Sequence, residues 1–266
     1  LQVDFRQNAW NGLQFDANYT WSHSLGLSTT NDWTSAFAAY TLRDLAKSYG
    51  PSIFDLRHVL HFSGTYDLPF GAGKRFLSSG HFIDKMLGNW TAGTILTFQS
   101  GAPWRLTGGY STFNDYGDGG IVLNGVTSSQ LQHAVGVHRL TPEQNGGNPA
   151  TFVDLVDPKY LASATGGANP SYVSPNTTPG TFGQIIYLHQ PHTFANDISL
   201  TKNFPINENL RVRFQGEFLN AWNHPYFGNG GTTNTYYNGN VQSTSFGTGT
   251  EQSSPRAIEL RVNVDF

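Results

Sequence analysis

The chain has 266 residues, 38% hydrophobic and 14% aromatic but only 12% charged, with a formal net charge of -3 and no cysteine. The missing thiol excludes a disulfide framework, a thiolate zinc site and a cysteine nucleophile, and the weak negative charge leaves no electrostatic footprint for nucleic acid. No run of about 18 apolar residues is present, so a membrane role would fall to strands rather than to a helix.

Taken in chain order, the first element is the alternating run Leu1, Val3, Phe5 against Gln2, Asp4, Arg6. A tight turn over Asn8 to Gly12 leads into a second strand, with Leu13, Phe15, Ala17, Tyr19 and Trp21 on one face and polar residues between them. After the long segment 22–56, the stretch from Arg57 to Leu68 places Leu60, Phe62, Gly64, Tyr66 and Leu68 opposite His61, Ser63, Thr65 and Asp67. A Gly/Pro-marked connection, Pro69 to Asn89, precedes a fourth strand near Trp90 to Gln99, whose apolar side is Ala92, Thr94, Leu96 and Phe98. A fifth strand runs near His192 to Asn203, and the turn Pro205 to Asn209 passes into a sixth carrying Leu210, Val212, Phe214, Gly216 and Phe218. The seventh, Arg256 to Phe266, alternates throughout, with Ile258, Leu260, Val262, Val264 and Phe266 on its apolar side.

Short and long connections alternate along this series. In an up-and-down antiparallel sheet, alternate connections emerge at the same rim, so one rim is trimmed and the other carries large loops. The apolar faces carry no charge except Lys202 near a strand end, and Tyr19, Trp21, Tyr66, Trp90 and Trp222 fall toward strand ends, where an interfacial belt needs them. The pattern predicts an all-β, antiparallel, up-and-down transmembrane β-barrel wall of about seven strands. A soluble secreted β-sandwich or lectin-like binding module, its apolar faces packed on each other, is the alternative from another class. A small outer-membrane barrel with adhesive or enzymatic loops is a third.

The stretch Tyr49-Gly50-Pro51-Ser52-Ile53-Phe54-Asp55-Leu56-Arg57-His58 leads into a strand ending Tyr66-Asp67-Leu68-Pro69-Phe70-Gly71. With Phe218-Leu219-Asn220-Ala221-Trp222-Asn223-His224, Phe227-Gly228 and the ending Ser254-Pro255-Arg256 through Phe266, it resembles the C-terminal β-barrel region of TonB-dependent outer-membrane receptors. The resemblance is to the large type with a carboxypeptidase-regulatory-like N-terminal domain, and it weakens over 108–190. It implies that residues 1–266 are a single partial β-barrel domain, an open part of a wall of about 22 strands whose plug domain and TonB-contacting box lie outside this chain. It further implies the outer membrane of a Gram-negative bacterium, contact with outer-membrane lipid, and uptake of a siderophore, carbohydrate or peptide nutrient, with TonB engaged through absent parts.

Catalytic signatures are missing: there is no G-x-S-x-G elbow, H-E-x-x-H, Walker loop or Rossmann fingerprint, so no enzyme is expected. Gly71-Ala72-Gly73-Lys74 reads as turn chemistry rather than a phosphate loop. His58 and His61, three apart on a strand, point to opposite faces and cannot share an ion, while His189 and His192 flank Pro191 at a loop-to-strand junction. The segment Asn114 to Gly120 looks like half of a calcium loop, with Asp115 and Asp118 as candidate ligands for Ca2+ and an ordinary Asx/Gly turn as the competing reading; no other cofactor is implied. Candidate ligand contacts are the long-loop aromatics Trp104, Tyr110, Tyr116, Tyr172, Tyr236 and Tyr237, which otherwise pack the loops onto one another. Glu217, Arg211, Arg213, Glu259 and Arg261 are expected to pair across strands as a polar ladder.

Overall fold

The computed structural model describes residues 1–27, 44–52, 54–71, 74–76, 86, 88–113, 118–138, 153–162, 167–206, 210–225, 227–228, 238–251 and 255–266. Seven long strands form one antiparallel sheet in simple chain order: β1 (Gln2–Trp10), β2 (Leu13–Trp21), β3 (His58–Asp67), β4 (Trp90–Gln99), β5 (Thr193–Pro205), β6 (Arg211–Leu219) and β7 (Ala257–Asp265). These are the seven expected from alternation, with ends shifted by one or two residues except in β1, which runs four residues beyond the expected Arg6 to Trp10. The sheet is open, and β1 and β7 each keep an edge with no strand partner among the described residues.

The first turn is tighter than the sequence suggests. Its bend is confined to Asn11 and Gly12, both at positive φ (50° and 85°), as a two-residue turn matched to strand twist requires. β1 therefore continues through Asn8, and the register slips between Gln7 and Trp10, which marks a bulge.

Register aligns the apolar residues into rows that cross the whole sheet. Phe15, Gly64, Thr94, Ile198, Phe218 and Ile258 stand abreast in consecutive strands. The rings of Phe5, Phe15 and Phe62 follow one another at 5.5 and 5.6 Å, and they crowd Gly64, where a Cβ would come within 3.1 Å of Phe15. The opposite face carries the charges: Asp4 and Arg6 on β1, Asp16 on β2, Asp67 on β3, Asp197 on β5, and the ionic residues of β6 and β7.

Among the described residues no protein layer covers the apolar face. Val3, Phe5, Phe214, Ile258, Val262 and Val264 are exposed, and Leu260 reaches 82%. The buried hydrophobic cluster lies elsewhere, wholly within residues 104–246 and outside the seven strands. A soluble sandwich requires a second layer against these side chains, and none is present among the described residues.

Candidate functional site: the long-loop cap and the polar face

The described residues within 100–192 and 220–256, stretches expected as loops, fold into a cap at the long-loop rim. The β4–β5 ladder runs on into it, because Pro103–Leu106 pairs with Ile186–His189 beyond a break at Gly101. There the two chains approach so closely that a Cβ on Gly101 would fall 1.7 Å from the Gln190 carbonyl oxygen. Ile121–Leu123 then pairs with Val173–Pro175. A four-stranded sheet joins Val135–His138 and Val153–Val156 from one connection to Thr248–Glu251 and Phe227–Gly228 from the other, so the two long loops share one core. The short helix Ser128–His133 starts with a capping box, Thr127 and Gln130 each satisfying the other's backbone N–H.

The cap accounts for part of the predicted aromatic set. Trp104 is only 4% exposed and packs on Phe246 at 5.8 Å, so it belongs to the core and offers no ring to a ligand. Tyr172 lies edge-on to Tyr160 at 5.2 Å, half-buried at the core's margin. Tyr110 is 46% exposed. Tyr116, Tyr236, Tyr237 and the candidate ligand Asp115 lie outside the described residues. Asp118 gives both oxygens to backbone amides: Oδ1 accepts from Gly108 (3.0 Å) and Gly120 (2.7 Å), Oδ2 from Gly109 (2.7 Å). Among the described residues no three His, Asp or Glu gather at metal-binding range.

The cap is tied to the wall by a cluster that sequence reasoning missed. Asp55, with no exposed surface, accepts from the Ser24 amide (2.7 Å), faces His23 Nδ1 with both oxygens (3.1 Å) and pairs with Arg57 Nε (3.4 Å). Burial pushes this carboxyl up, but the Ser24 amide, His23 and Arg57 outweigh it and hold it below the usual carboxylate range. His23 and Ser24 follow β2 while Asp55 and Arg57 precede β3, so the cluster clasps two strands at the long-loop rim. His189 extends it into the cap: its N–H donates to Gln132 Oε1 (2.6 Å), and Gln132 Nε2 donates to its carbonyl (3.1 Å). Burial lowers its pKa against the attraction of Asp55.

His189 and His192, adjacent in sequence, part company. His192 sits with Phe98 (5.5 Å) and His224 (6.4 Å). His58 and His61 separate as expected, His58 Nδ1 meeting Tyr19 Oη at 2.7 Å on the apolar face and His61 Nδ1 meeting Thr97 at 3.3 Å on the polar one. Lys202, on the apolar face, is 1% exposed. Its ammonium donates to the Gly88 carbonyl between the rings of Trp90 (5.4 Å) and Phe204 (4.6 Å), which satisfies the charge inside protein.

The expected ladder on the polar face forms differently. Glu217 stands opposite Glu259, like against like, and Gln215 opposite Arg261. The ion pair that forms is Arg213–Asp265 at 3.4 Å, while Glu217 accepts from Gln215 at 2.7 Å. Sequence fixed the face, but partner choice depends on register. Concavities on this face measure ≈ 550 Å³ near Arg6, Asp16, Gly93 and Ser199, and ≈ 620 Å³ near Lys74, Arg211 and Arg213.

An uncovered apolar face, aromatics at both strand ends and a charged opposite face define a β-sheet that spans a membrane as part of a barrel wall. From Phe194 to Phe204 on β5 is ten residues; at roughly 3.3 Å per residue and a tilt near 40°, that rise is about 25 Å, the height of an apolar membrane band. The family model for an outer membrane beta barrel domain matches residues 1–259, and the chain belongs to that family. Its place is the outer membrane. No curated protein and no solved structure matches it.

Proposed function

We propose that the chain is part of the wall and outer cap of a TonB-dependent receptor that takes up a nutrient of the siderophore, carbohydrate or peptide class across the outer membrane of a Gram-negative cell. The observation that carries this reading is the partition of the sheet: apart from the caged Lys202, the apolar face bears no charge on any of the seven strands, while the opposite face carries the other charges and is mostly polar, interrupted by Val59, Ile95, Ala195 and Leu219. That partition suits lipid outside and an aqueous lumen inside. The two unpaired edges support a wall completed by further strands. A folded cap at the long-loop rim is where a solute arriving from outside would first meet the protein, and Tyr110 is its exposed predicted aromatic.

Uptake of radiolabelled ferric siderophore, maltodextrin and oligopeptide, in cells with and without the protein and with and without a protonophore, tests the proposal. One solute should accumulate only when both the protein and the proton gradient are present. Accumulation indifferent to the gradient would leave an outer-membrane barrel without energised transport, and accumulation indifferent to the protein would remove transport altogether.

A further inference from the structure

Three cations collect at the short-turn end of the polar face, Lys74 from the β3–β4 connection and Arg211 and Arg213 on β6, with a fourth, Arg261, halfway along β7. Two carboxylates answer them, Asp67 with Lys74 at 3.6 Å and Asp265 with Arg213 at 3.4 Å. Arg211 and Arg261 have no carboxylate within 4.0 Å among the described residues, although Arg211 stands directly opposite Asp265 in register. Register puts Arg261 across from Gln215, diagonal to Arg213 on one side and to Glu217 on the other, so three guanidinium groups occupy neighbouring positions on two paired strands. Like charges this close on one face repel and destabilise the pairing.

Lys74, Arg211 and Arg213 line an opening rather than a packed surface. The ≈ 620 Å³ concavity is lined by Lys74, Arg211 and Arg213 against one carboxylate, Asp67, with Thr91, Thr201 and Asn203 supplying neutral polar groups, and Arg261 stands beside it across from the lining residue Gln215. Planar guanidinium forks bind carboxylate and phosphate oxygens in pairs, and hydroxyl and amide neighbours complete such a shell. We infer that this concavity is an anion-binding site, taking a ligand that carries several carboxylate or phosphate groups, either a small solute or an acidic peptide segment. The ligand supplies the negative charge that no described carboxylate brings within 4.0 Å of Arg211 and Arg261. The inference depends on this face being the inward one and not on energised uptake, so either stands if the other fails.

Isothermal titration of the protein in uncharged-detergent micelles tests it, with tripolyphosphate, a glutamate-rich hexapeptide and a lysine-rich hexapeptide as probes. Saturable binding of at least one anionic probe is expected, weakened tenfold or more in R211Q/R261Q and by raised salt, with none for the lysine-rich peptide. Asp265→Asn, which releases Arg213, should tighten binding several-fold. Preference for tripolyphosphate marks a small-solute site, and preference for the glutamate-rich peptide marks a peptide-segment site. No saturable binding of either anion, equal binding of the lysine-rich peptide, or affinity unchanged in R211Q/R261Q overturns the inference. If that double variant loses its β-sheet circular dichroism, Asp265→Asn decides alone, and unchanged or weaker binding overturns it.

Discussion

Leu200→Arg on β5 tests what covers the apolar face. Leu200 stands between Ala92 and Gly216 in its row, four residues from Phe204 and six from Phe194. With tilt, these separations are about 10 Å and 15 Å of height, so the new guanidinium would sit near the middle of the apolar band, beyond easy snorkelling. An arginine at that depth costs about 2–4 kcal/mol, or roughly a 30- to 700-fold shift in the folding equilibrium. The control is the neighbouring Ser199→Arg, which faces Gly93 and Glu217 on the polar side and should cost under about 1 kcal/mol. Guanidinium titrations of folding into lipid vesicles, followed by tryptophan fluorescence, measure both. Equal costs for the two variants, or a neutral Leu200→Arg, would refute the assignment of this face to lipid.

Four further outcomes concern the cap. Asp55→Asn removes the charge that Arg57 and His23 share; because both partners are about one-third exposed, the loss should fall at or below the low end for a broken buried pair, about 2–3 kcal/mol, seen as faster proteolysis of the cap while the wall stays protected. Asp154, buried in the cap sheet, has its carboxyl pushed up by burial to about 6 against the opposing pull of His138. Its folded pKa therefore exceeds the unfolded value of 3.8, so its contribution is complete below pH 4 and lost as pH rises through about 6; Asp154→Asn should stabilise the cap at pH 7 by up to about 3 kcal/mol and flatten its denaturation profile over that window. His189 acts in the opposite sense, since burial lowers its pKa from 6.5, and the stability it confers above that value is lost on acidification; His189→Gln should weaken this acid-side loss in the same measurement. Gly101→Ala forces a Cβ onto the Gln190 carbonyl and should cost at least about 2 kcal/mol, read as faster amide exchange in 103–106 and 186–189.

The wall was legible because a strand with lipid on one side and water on the other writes a period of two that nothing else in the chain imitates. The cap was not, because its strands lack that contrast: all four residues of Val153–Val156 are buried, including Asp154, and a strand buried on both faces shows no alternation. One signal was present and overlooked, the Thr127–Gln130 spacing ahead of Leu131. The Asp55 cluster was hidden for another reason. Its partners are 31–34 residues away across the long connection, and no local pattern declares such a pairing. The ionic residues of β6 and β7 were placed on the correct face with the wrong partners, since a slip of two residues keeps every side chain on its face while changing each opposite number.

Two different forces hold the two parts together. Among the described residues the wall holds no buried apolar cluster, so its cohesion comes from the backbone ladders, which in lipid have no water to compete with them. In the cap, residues such as Leu106, Ile121, Leu155 and Leu188 are almost wholly buried, and cohesion is hydrophobic in the ordinary aqueous sense. Denaturant acts on the second force directly and on the first only after lipid is displaced, so the cap should melt while the wall persists. The Asp55 cluster and the Gly101 crossing lie at the seam, which makes them the places where a change in the cap can be passed to the wall strands that it crowns.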